Sequence, residues 1–296
     1  MPMQVSVLGG FDFAVADGSR PPLAAGARRL LAYLALRVEP VSRRTAAGSL
    51  WPDADDERAA ASLRTALSRL DSGARDALAV EHGTLGLASD VVVDFRASQS
   101  LARRLLADDE RATDLDPDAV AALSCDVLPD WYDEWVVPDA EEWRQLRVAA
   151  LEALAARLLA TGRFAHAMLA AVSAVHVEPL RERANATVIR VHLAEGNRAD
   201  ALCEFRRYRA LVQRELGVEP TDTLYELVGV SPAATRRRGD GHVPTPKWDE
   251  VRDVHARVAD LRGTSSRGKE SAREASGAAS AREAGIPPRS ECDQES

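Results

Sequence analysis

From Asp53 to Ser72 the chain reads DADDERAAASLRTALSRLDS. At 100° per residue, Ala59, Leu63, Ala66, Leu67 and Leu70 gather on one side of a helix, while Arg58, Ala61, Arg64, Thr65, Ser68, Arg69 and Ser72 spread over the other. One face is made for burial; the other carries small, hydroxyl and guanidinium groups. Asp53, Asp55, Asp56 and Glu57 supply N-cap candidates and negative charge at the positive end of the helix dipole. A helix that is only solvated interleaves Glu with Lys opposite its apolar stripe. Here no acid intervenes between Glu57 and Asp71, which points to a polyanionic partner.

The elements before and after this helix give it a context. Gln4 to Leu8 and Phe11 to Val15 read as strands, with Gly9-Gly10 between them and Asp17-Gly18 as a turn, forming an N-terminal antiparallel sheet. Leu30, Leu31, Leu34 and Val38 recur at helical spacing until Pro40, and Ser42 can cap a short helix that Pro52 stops. After the amphipathic helix, Ala79 to Glu81 and Leu85 to Ala88 bracket His82-Gly83-Thr84 as a hairpin, to which Val91-Val92-Val93 adds a further strand. Strand, strand, helix, helix, helix, hairpin is the order of a winged helix-turn-helix, with the Asp53–Ser72 stretch as its recognition helix and the hairpin as its wing.

Beyond Asp94 the period is helical throughout. One helix contains Leu101, Leu105 and Leu106, a second opens at Asp116-Pro117-Asp118, and a long one runs from Trp143 to Thr161. Leu159-Ala160-Thr161-Gly162-Arg163-Phe164-Ala165-His166-Ala167 then superposes on Leu193-Ala194-Glu195-Gly196-Asn197-Arg198-Ala199-Asp200-Ala201 at an offset of 34, the period of tetratricopeptide helix pairs. Glycine in each copy allows a left-handed cap, Val-Glu-Pro follows each second helix, and the short segment Thr221 to Val228 completes the stack.

Composition sharpens this division. The net charge of −8 belongs to the middle of the chain: residues 1–98 hold 11 basic and 12 acidic groups, residues 99–230 hold 15 and 23, and residues 231–296 hold 12 and 11. Residues 28–75 carry nine Arg against six acids, a localised positive footprint of the kind a groove-reading module needs. Residues 231–296 combine six Gly, five Pro and eight Ser with a single aromatic, Trp248, so a disordered tail is expected, with transient helix around 248–261. Cys125, Cys203 and Cys292 lie far apart, which supports neither a disulfide framework nor a zinc site. No apolar run approaches the roughly 20 residues of a membrane span, and a cytoplasmic location is expected.

Two sets of residues together resemble a known family. The first set is Arg29 to Leu36 (RLLAYLAL), Leu50-Trp51-Pro52-Asp53, Ala61 to Leu70 (ASLRTALSRL) and Val93-Asp94. The second is Leu128 to Trp135 (LPDWYDEW), Val191 to Ala201 and Arg214 to Pro220. The first is similar to the winged helix of SARP-type transcriptional regulators, the second to the bacterial transcriptional activator domain that follows it. The resemblance covers about residues 3 to 230 in the family's domain order. A mainly α chain is expected: a winged helix at 1–97, a tetratricopeptide-like activator domain at 98–230, and a tail at 231–296.

The chemistry is then recognition. No serine triad, HExxH or complete phosphate loop is present. The near match at Gly263 to Glu270 has Glu270 where Ser or Thr is required and no apolar strand before it. No enzyme activity and no cofactor are expected. In the major groove Arg64 can fork onto guanine, with Thr65 and Ser68 able to bond base edges or phosphate. Arg43, Arg44, Arg58 and Arg69 flank them as phosphate contacts. Trp131, Tyr132 and Trp135, set among acids, are expected to form an interdomain or partner contact.

The resemblance implies repeated promoter sites and contact with RNA polymerase. Two departures accompany it: Asp71-Ser72 stands where the family commonly continues with basic residues, and the wing Glu81–Ala88 lacks Arg and Lys. Weak binding by one copy follows, so a homodimer on two half-sites is expected. The alternative is a tetratricopeptide interaction scaffold whose winged helix no longer binds DNA.

Overall fold

The computed structural model describes residues 2–107 and 117–231. The expected tail, its transient helix and the incomplete phosphate loop lie outside them, as does Asp116.

Strands β1 (Gln4–Ser6) and β2 (Asp12–Ala14) pair antiparallel, with Val5 opposite Phe13. Helices α1 (Ala25–Leu36), α2 (Arg43–Leu50) and α3 (Asp56–Ser68) follow, with the two-residue strand β3 (Val41–Ser42) leading into α2. Ser42 accepts a hydrogen bond from the Thr45 amide and Asp55 one from the Arg58 amide, so α2 and α3 each start at a side-chain cap. A short α4 (Ser72–Asp76) precedes the hairpin of β4 (Leu78–Glu81) and β5 (Thr84–Leu87). Its two-residue turn, His82-Gly83, has both φ angles positive, at 46° and 86°, as a tight hairpin of this twist requires. Strand β6 (Val92–Val93) closes the module.

The structure revises the sequence reading in two places. The helix expected to read DNA, α3, ends at Ser68, and Asp71 caps α4 by accepting from the Ala74 amide. Asp71 therefore belongs to the next element, and the acid that breaks the basic run leaves the reading face unaltered. Val92–Val93 does not extend the wing. It pairs parallel with β1, giving one sheet in the order β2-β1-β6, while the wing sheet runs β3-β5-β4. Parallel pairing across some 88 positions leaves no local trace, so period alone assigned that strand to its nearest neighbour.

The remaining elements are helical: α5 (Asp94–Leu106), α6 (Pro117–Ser124), α7 (Val137–Ala160), α8 (Phe164–Val177), α9 (Glu182–Ala194), α10 (Arg198–Leu216) and α11 (Asp222–Val228). The repeat is visible in the caps. Gly162 (φ 72°) donates to the Leu159 carbonyl and Arg163 to that of Leu158; Gly196 (φ 80°) donates to Leu193 and Asn197 to His192. These are the same left-handed termination twice, 34 residues apart. The fold is thus mainly α, a winged helix followed by tetratricopeptide-like helix pairs.

One apolar core runs from Met3 through Leu30, Phe95 and Trp143 to Val191, and a second gathers Ile189, Phe205 and Tyr225 near the C-terminal helices. Helix α5 connects the two modules. Asp94 at its start accepts from the Val7, Leu8 and Phe95 amides, and burial pushes its carboxyl above the usual range. Phe95 meets Trp143 of α7 edge-on at 5.6 Å, and Trp143 donates to the Cys125 carbonyl.

Candidate nucleic-acid interface

Helix α3 buries Ala59, Leu63 and Ala66 and exposes Arg58, Arg64, Thr65, Ser68 and Arg69, as its period requires. The exposed ridge is flanked by two grooves. On one side, α2 and α3 enclose about 400 Å³, floored by Ala47, Ala59 and Leu63 and rimmed by Arg43, Arg44 and Arg64. On the other, the start of α1 and the far side of α3 enclose about 310 Å³ beside Trp51, Thr65 and Arg69. The exposed face of α3 therefore stands clear on both flanks, and among the described residues the acidic helical module does not cover it.

The seven side chains expected to meet DNA all lie on this side of the winged helix, but in different states. Arg43, Arg64 and Arg69 are exposed with no ion pair among the described residues. Arg44 pairs with Asp56 at 2.9 Å and Arg58 with Asp55 at 3.4 Å, all four side chains being largely exposed. Such pairs contribute little, between about 0 and 1 kcal/mol, so a phosphate can displace the acid. Thr65 donates its hydroxyl to the Ala61 carbonyl and Ser68 donates to that of Thr65. Both keep acceptor lone pairs outward, suited to a base amino group rather than to phosphate oxygen. At the wing, the Gly83 carbonyl receives the Arg43 amide, which ties the hairpin tip to the start of α2.

The aromatic segment lies elsewhere, against α1. Trp135 is buried and meets Tyr33 edge-on at 5.4 Å, and Trp131 lies 6.0 Å from Phe11. Both tryptophans touch the winged helix. Tyr132 does not: it is 93% exposed. Around them, Arg29 pairs with Asp133, Arg37 with Asp139 at 2.9 Å, and the Arg28 guanidinium sits 5.4 Å above the Trp131 ring. Arg96 of α5 donates to the Leu34, Ala35 and Arg37 carbonyls that end α1. Sequence reasoning had no signal for these arginines, because their partners lie about 60 to 100 positions away.

An exposed, arginine-bearing ridge on a winged helix is thus followed by tetratricopeptide-like helix pairs, which gives the chain a two-module architecture. Residues 89–229 match the family model of the bacterial transcriptional activator domain. That segment is therefore similar to the bacterial transcriptional activator domain, and it stands directly after the winged helix, in the domain order that the sequence resemblance implies. Among solved structures it is similar to Mycobacterium tuberculosis EmbR in complex with a low-affinity phosphopeptide, at 22% identity and a TM-score of 0.58, over 88% of this chain and 71% of that one. That likeness is one of fold. No curated protein matches the chain.

Proposed function

We propose that this regulator binds promoter DNA through α3 and activates transcription by contacting RNA polymerase, acting in the cytoplasm as a homodimer on repeated half-sites. The observation that carries the reading is Arg64, exposed and with no ion pair among the described residues, on a ridge open to solvent on both sides. Arg64 reads a guanine edge with its two parallel donors; Arg43, Arg44, Arg58 and Arg69 hold phosphates on either side and set the register. The wing brings only His82 at its tip, so a single copy makes few backbone contacts. Two copies double the phosphates neutralised and steepen the salt dependence.

Gel-shift titration on a promoter fragment with one or two half-sites tests this. Two half-sites are expected to bind more tightly and with a steeper loss in salt; equal affinities would sink the paired-site reading. Retention on random duplex DNA tests the binding itself. A scaffold without DNA affinity shows no salt-sensitive retention.

A further inference from the structure

We propose that the segment from Asp126 to Asp139 is a positioning clamp for the recognition helix, acting through α1, so that the activator module and the reading face respond as one unit. Its consequence for DNA rests on the reading above; its geometry does not.

Helix α1 is poorly equipped to hold itself. Ala24 offers no side-chain cap, the first turn holds no acid, and the last turn holds no base. Its C-terminal end and outer side are held from outside the winged helix. Arg37, at the C-cap, pairs with Asp139 at 2.9 Å and reaches the Trp135 carbonyl at 3.4 Å. Arg29 takes Asp133, and Trp135 stacks edge-on against Tyr33. The segment also joins the N-terminal sheet: Leu128 donates to the Val7 carbonyl at 2.9 Å, Gly9 donates to that of Asp126 at 2.7 Å, and Leu8 bridges Val127.

The inner side of α1 touches the reading helix directly. A Cβ built on Gly26 would stand 3.4 Å from the Ala66 Cβ of α3. Behind that crossing Leu30, Leu31 and Leu34 of α1 share one buried core with Ala59 and Leu63 of α3, so a shift of α1 displaces α3, because close-packed interiors transmit displacement instead of absorbing it. Any partner that binds the clamp in one of two positions must then alter DNA affinity, and DNA must alter the partner's affinity by the same factor.

The test is hydrogen exchange, read by mass spectrometry on the full chain, for Asp139→Asn and for Trp135→Leu. Opening the clamp is expected to speed exchange about fivefold or more, the low end of ordinary coupling, in α1 and α3 while α9 and α10 stay protected. The swapped pair, Arg37→Asp with Asp139→Arg, restores protection. The proposal is overturned if residues 131–139 open while α3 exchanges at the wild-type rate, or if the clamp stays shut in both variants. On DNA, Asp139→Asn is expected to weaken promoter binding while retention on random duplex is kept. A wild-type chain that binds no DNA at all overturns the preceding subsection, and the exchange result still decides the clamp.

Discussion

Gly26 of α1 and Ala66 of α3 cross so closely that a single added methyl group at Gly26 would meet the Ala66 methyl at 3.4 Å and the Trp51 ring at 3.7 Å. Helix α3 is thus seated beside α1 with room for one carbon between them. Gly26→Ala is expected to be neutral or to stabilise by up to about 1 kcal/mol, since the contact is tolerable and the unfolded chain loses freedom. Gly26→Leu should cost about 1–3 kcal/mol as the crossing is forced apart. Thermal melts of the pair check this, a leucine variant as stable as wild type being the contrary result.

Arg64 and Arg69 occupy opposite flanks of the same helix and should fail differently. Arg64→Ala is expected to lose about 1–3 kcal/mol of discrimination at one base position. Arg69→Ala should weaken all sequences alike and lower the salt slope by about one. Titrations on matched and mismatched duplexes at several salt concentrations separate the two, and identical behaviour would refute the division of roles.

Glu152 of α7 is 1% exposed and is held by Arg181 at 2.7 Å and Arg183 at 3.3 Å. Removing a partner leaves a buried carboxylate short of charge, so Arg181→Ala should destabilise by about 3 kcal/mol. Arg183→Ala should cost far less, because its side chain is 71% exposed. Denaturant midpoints of the two variants decide it.

Tyr208 in α10 donates to the Leu180 carbonyl, and burial, with Glu182 nearby, pushes its phenol up to about 12. The unfolded phenol titrates near 10. Between about 10 and about 12 the unfolded state gives up its proton while the folded state keeps it, so stability is full below 10 and is lost as the pH rises through that window. Tyr208→Phe should flatten this alkaline decline; a melt series across that range that stays equally steep would contradict it.

The two glycine caps offer a local test of the repeat. At φ 72° and 80°, Gly162→Ala and Gly196→Ala should each cost about 1–2 kcal/mol, the penalty of a Cβ in the left-handed region. Similar losses in calorimetry would mark the caps as equivalent units, and a loss at only one would break the equivalence.

Wherever an element's partner is itself, the chain alone announced it. The 3.6-residue stripe of Ala59, Leu63 and Ala66, the Ser42 cap, the His82-Gly83 turn and the 34-residue return of glycine are all short-range constraints, met within a few residues whatever the rest of the molecule does. The exposed guanidinium ridge was legible for the same reason, since amphipathicity decides which side of α3 faces outward.

Partners far apart in the chain were settled only by folding. Nothing near Val92 marks it as a neighbour of Gln4, and nothing near Arg37 points to Asp139. Parallel pairing and ion pairs across a hundred residues depend on where whole elements come to rest, and that position is decided by burying Leu30, Phe95 and Trp143 in one core. Burial is non-directional, so it leaves no pattern along the chain to announce which two surfaces will meet.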